Sequence, residues 1–284
     1  MKNNIGIIFI LGHALCMGII NVLVAFVCAE VSIMQIIGFQ FCIPFIILLP
    51  WLLRKGIKPL KTELLPVHVQ RICMVIFALF FYYTSMQFLP FLNVVLVENS
   101  TPVLIPIISL IWLKERISFR LWFAMLVGLV GVYFTLSPHS LVFNLYVMFP
   151  VYSAFVSAYS AVSVKFLSRW GDTKEAILFY YFGIGTLISG PFLVANMHLC
   201  SWTDLAVFSM IGVLMAIAQL TLFFAYQYGM PGRLAPFAYS EIMFTALLGW
   251  ALFQDQPEIE TLVGMLCIII SGLVMLNWKE WVKQ

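Results

Sequence analysis

The sequence predicts an all-α polytopic membrane protein with ten transmembrane helices in a 5+5 inverted-topology repeat. Three observations carry this. The 284-residue chain is 63% hydrophobic and only 10% charged, far from the roughly 45–50% and 25% of soluble domains. Its apolar residues gather into ten uncharged runs of the length that about 20 helical residues need to cross a hydrocarbon core. And the cations sort to one side when alternate loops are counted. A water-soluble enzyme, a nucleic-acid binder and a chain with a large extramembrane domain are excluded together.

The runs, in order, are 5–27, 33–53, 72–89, 92–112, 119–137, 142–164, 175–195, 205–228, 235–253 and 261–278. The first follows Lys2, as a signal peptide would. Its apolar core is too long for a signal h-region of about 7–15 residues, and no small-residue cleavage site follows. None of the ten alternates with period two, and all are too long for barrel strands, so they read as helices. In lipid each segment must also satisfy its own backbone amides. The loops 54–71, 113–120, 165–174 and 229–234, with the C-terminal tail and Lys2, hold all 15 Lys and Arg, Arg71 among them. Opposite loops carry Glu30, Asp204, Asp255, Glu258 and Glu260. The positive-inside rule then places both termini in the cytoplasm of a multi-pass inner (plasma) membrane protein. The basic stretch Arg54–Lys61 is an orientation signal rather than a nucleic-acid site.

Spans 3–5 overlay spans 8–10 at a constant offset of 140 residues, which sets Gln87 on Gln227, Ser100 on Ser240 and Glu115 on Asp255. The expected halves are 1–140 and 141–284, within one integral membrane domain. Each holds five helices, an odd number, so the second enters from the opposite face. Inverted repeats of this kind are associated with alternating-access transporters whose site lies near the midplane. Cys16, Cys42, Cys73 and Cys267 fall in or beside spans without zinc or CxxC spacing. Cys28 and Cys200 sit near outer loops, where a disulfide and two free thiols are both open.

Particular motifs add a family. Thr101-Pro102 leads to Leu113-Lys114-Glu115-Arg116, and Ala235-Pro236-Phe237-Ala238-Tyr239-Ser240-Glu241 is followed by Leu247-Leu248-Gly249-Trp250-Ala251-Leu252-Phe253-Gln254-Asp255-Gln256-Pro257. The chain resembles the EamA-type transporters of the drug/metabolite transporter superfamily along its whole length. Asp255 replaces the usual Glu with the charge kept. Glu98 stands where relatives more often place a small or apolar residue. The resemblance implies an inner-membrane carrier of small metabolites (amino acids, nucleotide-like compounds, S-adenosylmethionine) with a cavity lined by spans 3, 4, 8 and 9.

Two carboxylates lie inside spans, Glu98 and Glu241, where a charge costs on the order of 2.5–3.5 kcal/mol on insertion scales. Both are expected to face one central cavity and bind the cationic end of a metabolite. The bland counterpart is hydrogen-bonding between helices. Their neighbours Asn99, Thr101 and Tyr239, with Gln219 and Tyr83, complete the expected substrate-binding set. Pro102, Pro106 and Pro236 interrupt the same two spans, and interrupted helices at matching places in two halves point to a site. His13 is a proton-coupling candidate, set against a packing histidine. Tyr159 is a stacking candidate. The small residues Ser153 to Ala161 are expected to pack helices closely.

The function expected is a secondary transporter of a small polar, amine-bearing metabolite such as an amino acid or S-adenosylmethionine, without metal or cofactor. A proton or counter-substrate could be coupled, and a homodimer is open. The alternatives are a non-transporting scaffold and an intramembrane enzyme. Against the enzyme, HExxH is absent and Asp172, Asp204 and Asp255 all fall in expected loops.

Overall fold

The computed structural model describes residues 2–27, 31–56, 58–89, 91–115, 118–136, 145–196, 201–253 and 259–276. Cys28 and Cys200, and with them the disulfide alternative, lie outside these residues, as do Glu30, Arg116, Asp255, Glu258, Lys279 and Lys283. The described residues are helical throughout apart from short turns: α1 Lys2–Val27, α2 Ile33–Lys55, α3 Leu65–Phe88, α4 Phe91–Glu98, α5 Thr101–Trp112, α6 Phe119–Leu136, α7 Met148–Arg169, α8 Lys174–Asn196, α9 Trp202–Tyr228, α10 Pro231–Ala238, α11 Ser240–Phe253 and α12 Ile259–Leu276. Six of them (α1, α2, α3, α7, α8 and α9) are long and apolar enough to cross a membrane. The pairs α4/α5 and α10/α11 are each one helix broken by one or two residues, which brings the helical units among the described residues to ten.

The element bounds repeat. α4 and α10 are both 8 residues and α6 and α12 both 18, each displaced from its counterpart by the 140 residues found in the sequence. Packing follows the same correspondence. The principal pairs are α6 with α12, α1 with α9, α2 with α8, α3 with α7, α1 with α11 and α5 with α7. Each joins an element of 2–136 to one of 145–276, so the halves interleave. Ile36, Ile37, Phe41, Phe182 and Phe208 centre one buried cluster, and Ile10, Met125, Tyr226 and Leu234 another. Small residues permit the tightest crossing. A Cβ on Gly131 of α6 would lie 2.7 Å from the Gly264 carbonyl of α12, so the two helices meet almost backbone to backbone.

The bundle has one basic end. Lys55 Nζ donates to Glu175 Oε1 at 2.6 Å, Thr62 Oγ1 to Asp172 Oδ2 at 3.0 Å and Thr173 Oγ1 to the Pro59 carbonyl at 2.7 Å. Arg169 Nη1 reaches the Leu113 carbonyl at 3.3 Å, and the Gly232 N–H reaches Glu115 Oε2 at 3.3 Å. Phe9 of α1 stacks on Phe224 and Tyr228 at the end of α9, and Ser271 of α12 donates to the Ala124 carbonyl of α6 at 2.6 Å. The starts of α1 and α6 and the finish of α12 therefore share the end that holds these loops. Phe88 and Tyr146 stack at 4.3 Å at the other.

Several cations assigned to loops lie in helices: Arg54 and Lys55 in α2, Arg120 in α6, Lys165 and Arg169 in α7, Lys174 in α8 and Arg233 in α10. Arg71 departs furthest. Arg71, assigned by its charge to a loop, lies inside α3 and is 1% exposed. Pro66 in the first helical turn is the start signal that carries α3 back to Leu65 and draws Arg71 into the bundle.

Candidate functional site

The two broken helices create the site. A proline cannot donate to the carbonyl four residues back, and for Pro102 that carbonyl belongs to Glu98. The helix opens at Asn99–Ser100, and Thr101 Oγ1 supplies the missing donor, reaching the Glu98 carbonyl at 2.6 Å and the Ala154 carbonyl at 3.3 Å. Asn99 folds back through Nδ2 onto the Val95 carbonyl at 2.8 Å. In the second half the break falls at Tyr239, three residues beyond Pro236, and Ser240 Oγ donates to the Phe237 carbonyl at 2.6 Å. Asn99 and Thr101 thus hold the break itself.

Glu98 closes α4 and Glu241 lies in the first turn of α11. Ser157 Oγ of α7 donates to Glu98 Oε1 at 3.0 Å, with Ser153 beside the same carboxylate. Asn21 Nδ2 of α1 donates to Glu241 Oε1 at 2.8 Å. The carboxylates are close enough to act electrostatically on one another, and both act on Tyr82 of α3. Two partly buried carboxylates from two different broken helices, held by an asparagine and a serine, therefore lie within electrostatic range of each other and of one tyrosine. Such a locus favours a cation or a hydrogen-bond donor. The α4 C-terminus, with its carbonyl partial charges, adds negative potential there.

The other expected residues are distributed differently. Tyr83, neighbour of the tyrosine that faces the carboxylates, accepts instead from Gln40 Nε2 at 2.7 Å. Tyr239 is fully buried against α6, its hydroxyl 3.2 Å from the Met125 carbonyl and its ring where a Cβ on Gly128 would lie. His13 Nδ1 is 2.9 Å from the Ala218 carbonyl and ties α1 to α9. Gln219 Nε2 points to the Tyr181 hydroxyl at 3.5 Å. Tyr159 stacks on Trp112 at 4.9 Å.

Three participants escaped the sequence reading. Tyr82 and Ser157 had no signal beyond an adjacent tyrosine and a small-residue stripe read as packing. Arg71 did have a signal, in Pro66. Its Nε donates to Ser160 Oγ at 2.9 Å and its guanidinium lies 4.7 Å over the Tyr181 ring. Toward the basic end His68 Nε2 contacts Asp172 Oδ2 at 2.8 Å. Outside the spans, burial pushes the Glu115 carboxyl above its ordinary value although Gly232 and Lys165 oppose the shift.

An all-helical bundle of apolar spans, with two interrupted helices presenting polar groups to its interior, is an architecture found among membrane transporters of small molecules. The profile of the EamA-like transporter family matches residues 4–137 and again 144–277, and the chain belongs to that family. Among its relatives is an S-adenosylmethionine uptake transporter of Rickettsia bellii, 26% identical over 85% of this chain and 83% of that one. A riboflavin transporter of Vibrio cholerae is 25% identical over 84% and 81%. The pseudopaline exporter CntI of Pseudomonas aeruginosa is 24% identical over 92% of both. A solved crystal structure shares the fold at a TM-score of 0.78, with 17% identity over 96% of this chain and 95% of that one.

Proposed function

We propose that the chain is a secondary transporter that moves an amine-bearing polar metabolite, an amino acid or an S-adenosylmethionine-like compound, across the inner membrane by alternating access. Residues 1–140 and 141–284 form the two inverted halves, and the basic end with both termini faces the cytoplasm. The observation that carries the cargo class is that Glu98 and Glu241, partly buried on equivalent broken helices, lie within electrostatic range of each other. Carboxylates held there suit an ammonium or sulfonium centre better than a neutral flavin. Asn21 and Ser157 orient the carboxylates. The shared register of the halves and the collection of basic loops at one end support the inverted arrangement and the orientation.

A ligand that binds the folded carrier raises its melting temperature by mass action. The purified protein is therefore heated with a panel of amino acids, S-adenosylmethionine and riboflavin. Stabilisation by amine-bearing compounds, lost in Glu98→Gln, is the expected result. Stabilisation by riboflavin alone would contradict the cargo class, and stabilisation by none would contradict the cavity's role.

A further inference from the structure

Arg71 is a buried cation with most of its donors idle. Its Nε is used by Ser160 and its flat face by Tyr181, while Nη1 and Nη2 are buried and have no hydrogen-bond partner. Among the described residues no carboxylate forms an ion pair with it. The nearby Asp172 is occupied by His68 and Thr62. Burying an unpaired guanidinium is costly. A role confined to packing would be met by an apolar residue, and a role in orientation would be met at the surface. What remains free is the Nη1/Nη2 edge, the fork that engages a carboxylate through two parallel hydrogen bonds.

The position of that fork relative to the carboxylates is set by α7. Ser153, Ser157 and Ser160 fall on one helical face. Ser157 holds Glu98 at 3.0 Å, and Ser160 holds Arg71 at 2.9 Å. The two serines are three residues apart, a rise of about 4.5 Å. A negative and a positive group therefore approach the same face of α7 within one turn, yet they are not paired with each other. Glu98 likewise keeps one buried oxygen, Oε2, without a hydrogen-bond partner. The unused donors and the unused acceptor are thus anchored to the same face of α7 about one turn apart.

Building on the proposed transport of an amine-bearing cargo, we infer that Arg71 is the anion pole of the cavity and receives the cargo's carboxylate while Glu98 and Glu241 receive its amine. The cargo is thereby an α-amino acid, or a larger metabolite that carries an α-amino-acid group, whose ammonium and carboxylate are separated by a single carbon. Tyr181 braces the guanidinium from below, and Gln219, 3.5 Å from the Tyr181 hydroxyl, secures that brace. A neutral cargo leaves the fork unfilled.

The test compares matched ligands by equilibrium binding to the full-length protein: S-adenosylmethionine, L-methionine, L-lysine and L-tryptophan, each against its decarboxylated or carboxamide counterpart. The wild type is expected to favour the carboxylate form by about 10- to 100-fold, the range of a hydrogen bond between charged groups. Arg71→Gln is expected to abolish that preference, leave the affinity for the amine-only form unchanged and leave the ligand-free melting temperature undiminished, since it removes a buried unpaired charge. Arg71→Lys keeps the charge without the fork and is expected to fall between, which provides a reading should the glutamine variant not fold. Equal binding of both members of a pair by the wild type, or a preference that survives in either variant at full strength, overturns the role of Arg71 while the amine-transport proposal stands. Failure of every amine-bearing ligand to bind overturns both.

Discussion

Gly185 of α8 is the position where a single methyl group should do the most damage. A Cβ there would sit 2.2 Å from Cδ1, 2.5 Å from Cγ and 2.7 Å from Cε1 of Phe41, against a contact distance of roughly 3.5 Å between carbons. Phe41 would have to retreat by about 1.3 Å. It has nowhere to go, because it is fully buried and packed on Tyr181 at 5.4 Å and Phe182 at 6.5 Å. Overpacking of this kind costs about 1–3 kcal/mol, and an unyielding ring puts Gly185→Ala in the upper half of that range. Displacement of Tyr181 would also carry the Arg71 guanidinium stacked on it. Equilibrium unfolding in mixed micelles measures the first effect, and binding of a carboxylate-bearing ligand measures the second. Phe41→Leu in the same chain frees the space, so the double variant should show a coupling of at least about 0.5 kcal/mol toward recovery. Wild-type stability in Gly185→Ala, or strict additivity in the double variant, would refute the packing of α2 on α8 described above.

Glu98→Gln and Glu241→Gln should each lower transport at least about tenfold, a loss near 1.4 kcal/mol, with membrane insertion and folding retained because an amide can still accept from Ser157 or Asn21; normal transport kinetics would reduce that residue to a structural hydrogen bond. Glu115→Gln tests the buried basic end by pH. Burial raises the Glu115 carboxyl in the folded protein, so its stabilising contribution is complete at low pH and is lost as pH rises through the folded-state value. The variant should therefore gain on the wild type as pH rises above the ordinary carboxylate range, measured as melting temperature, and a wild type that gains on the variant over that rise would contradict the sign. In a chain whose six native cysteines are replaced by serine, Lys61→Cys and Ser201→Cys test orientation: an impermeant maleimide applied outside intact cells should label only the second, and the reverse pattern would invert the assignment.

Most of the helical plan was legible because lipid imposes it. Run length, the absence of charge and the cation distribution are strong signals, and eight of the ten runs agree with the helical units to within a few residues. The exceptions are α3, where reading a charge as a boundary cut the helix at residue 72 although Pro66 marks its true start, and α7, which begins at Met148 and runs past Lys165 to Arg169. The breaks at Asn99–Ser100 and at Tyr239 were foreshadowed by Pro102 and Pro236, since a proline's missing donor is local information. Which side chains meet was not local. Tyr82 and Tyr83 are adjacent and chemically identical, and only the rotation of α3 decides that Tyr83 accepts from Gln40 while Tyr82 stands in the field of both carboxylates. Similarly, Ser157 looks the same in sequence whether it packs against a helix or holds a carboxylate. Tyr239 was expected beside Glu241, but it stands two residues before it, at the break between α10 and α11, and its ring packs into α6.

The central claim is that the buried carboxylates serve a carrier, and counterflow tests it most directly. Purified protein is placed in liposomes preloaded with unlabelled amino acids and S-adenosylmethionine, and each labelled compound is offered outside without an ion gradient. Saturable accumulation of an amine-bearing label, abolished in the Glu98→Gln, Glu241→Gln double variant, is the predicted result. Undiminished accumulation by that folded double variant would contradict it, as would the absence of any accumulation by the wild type.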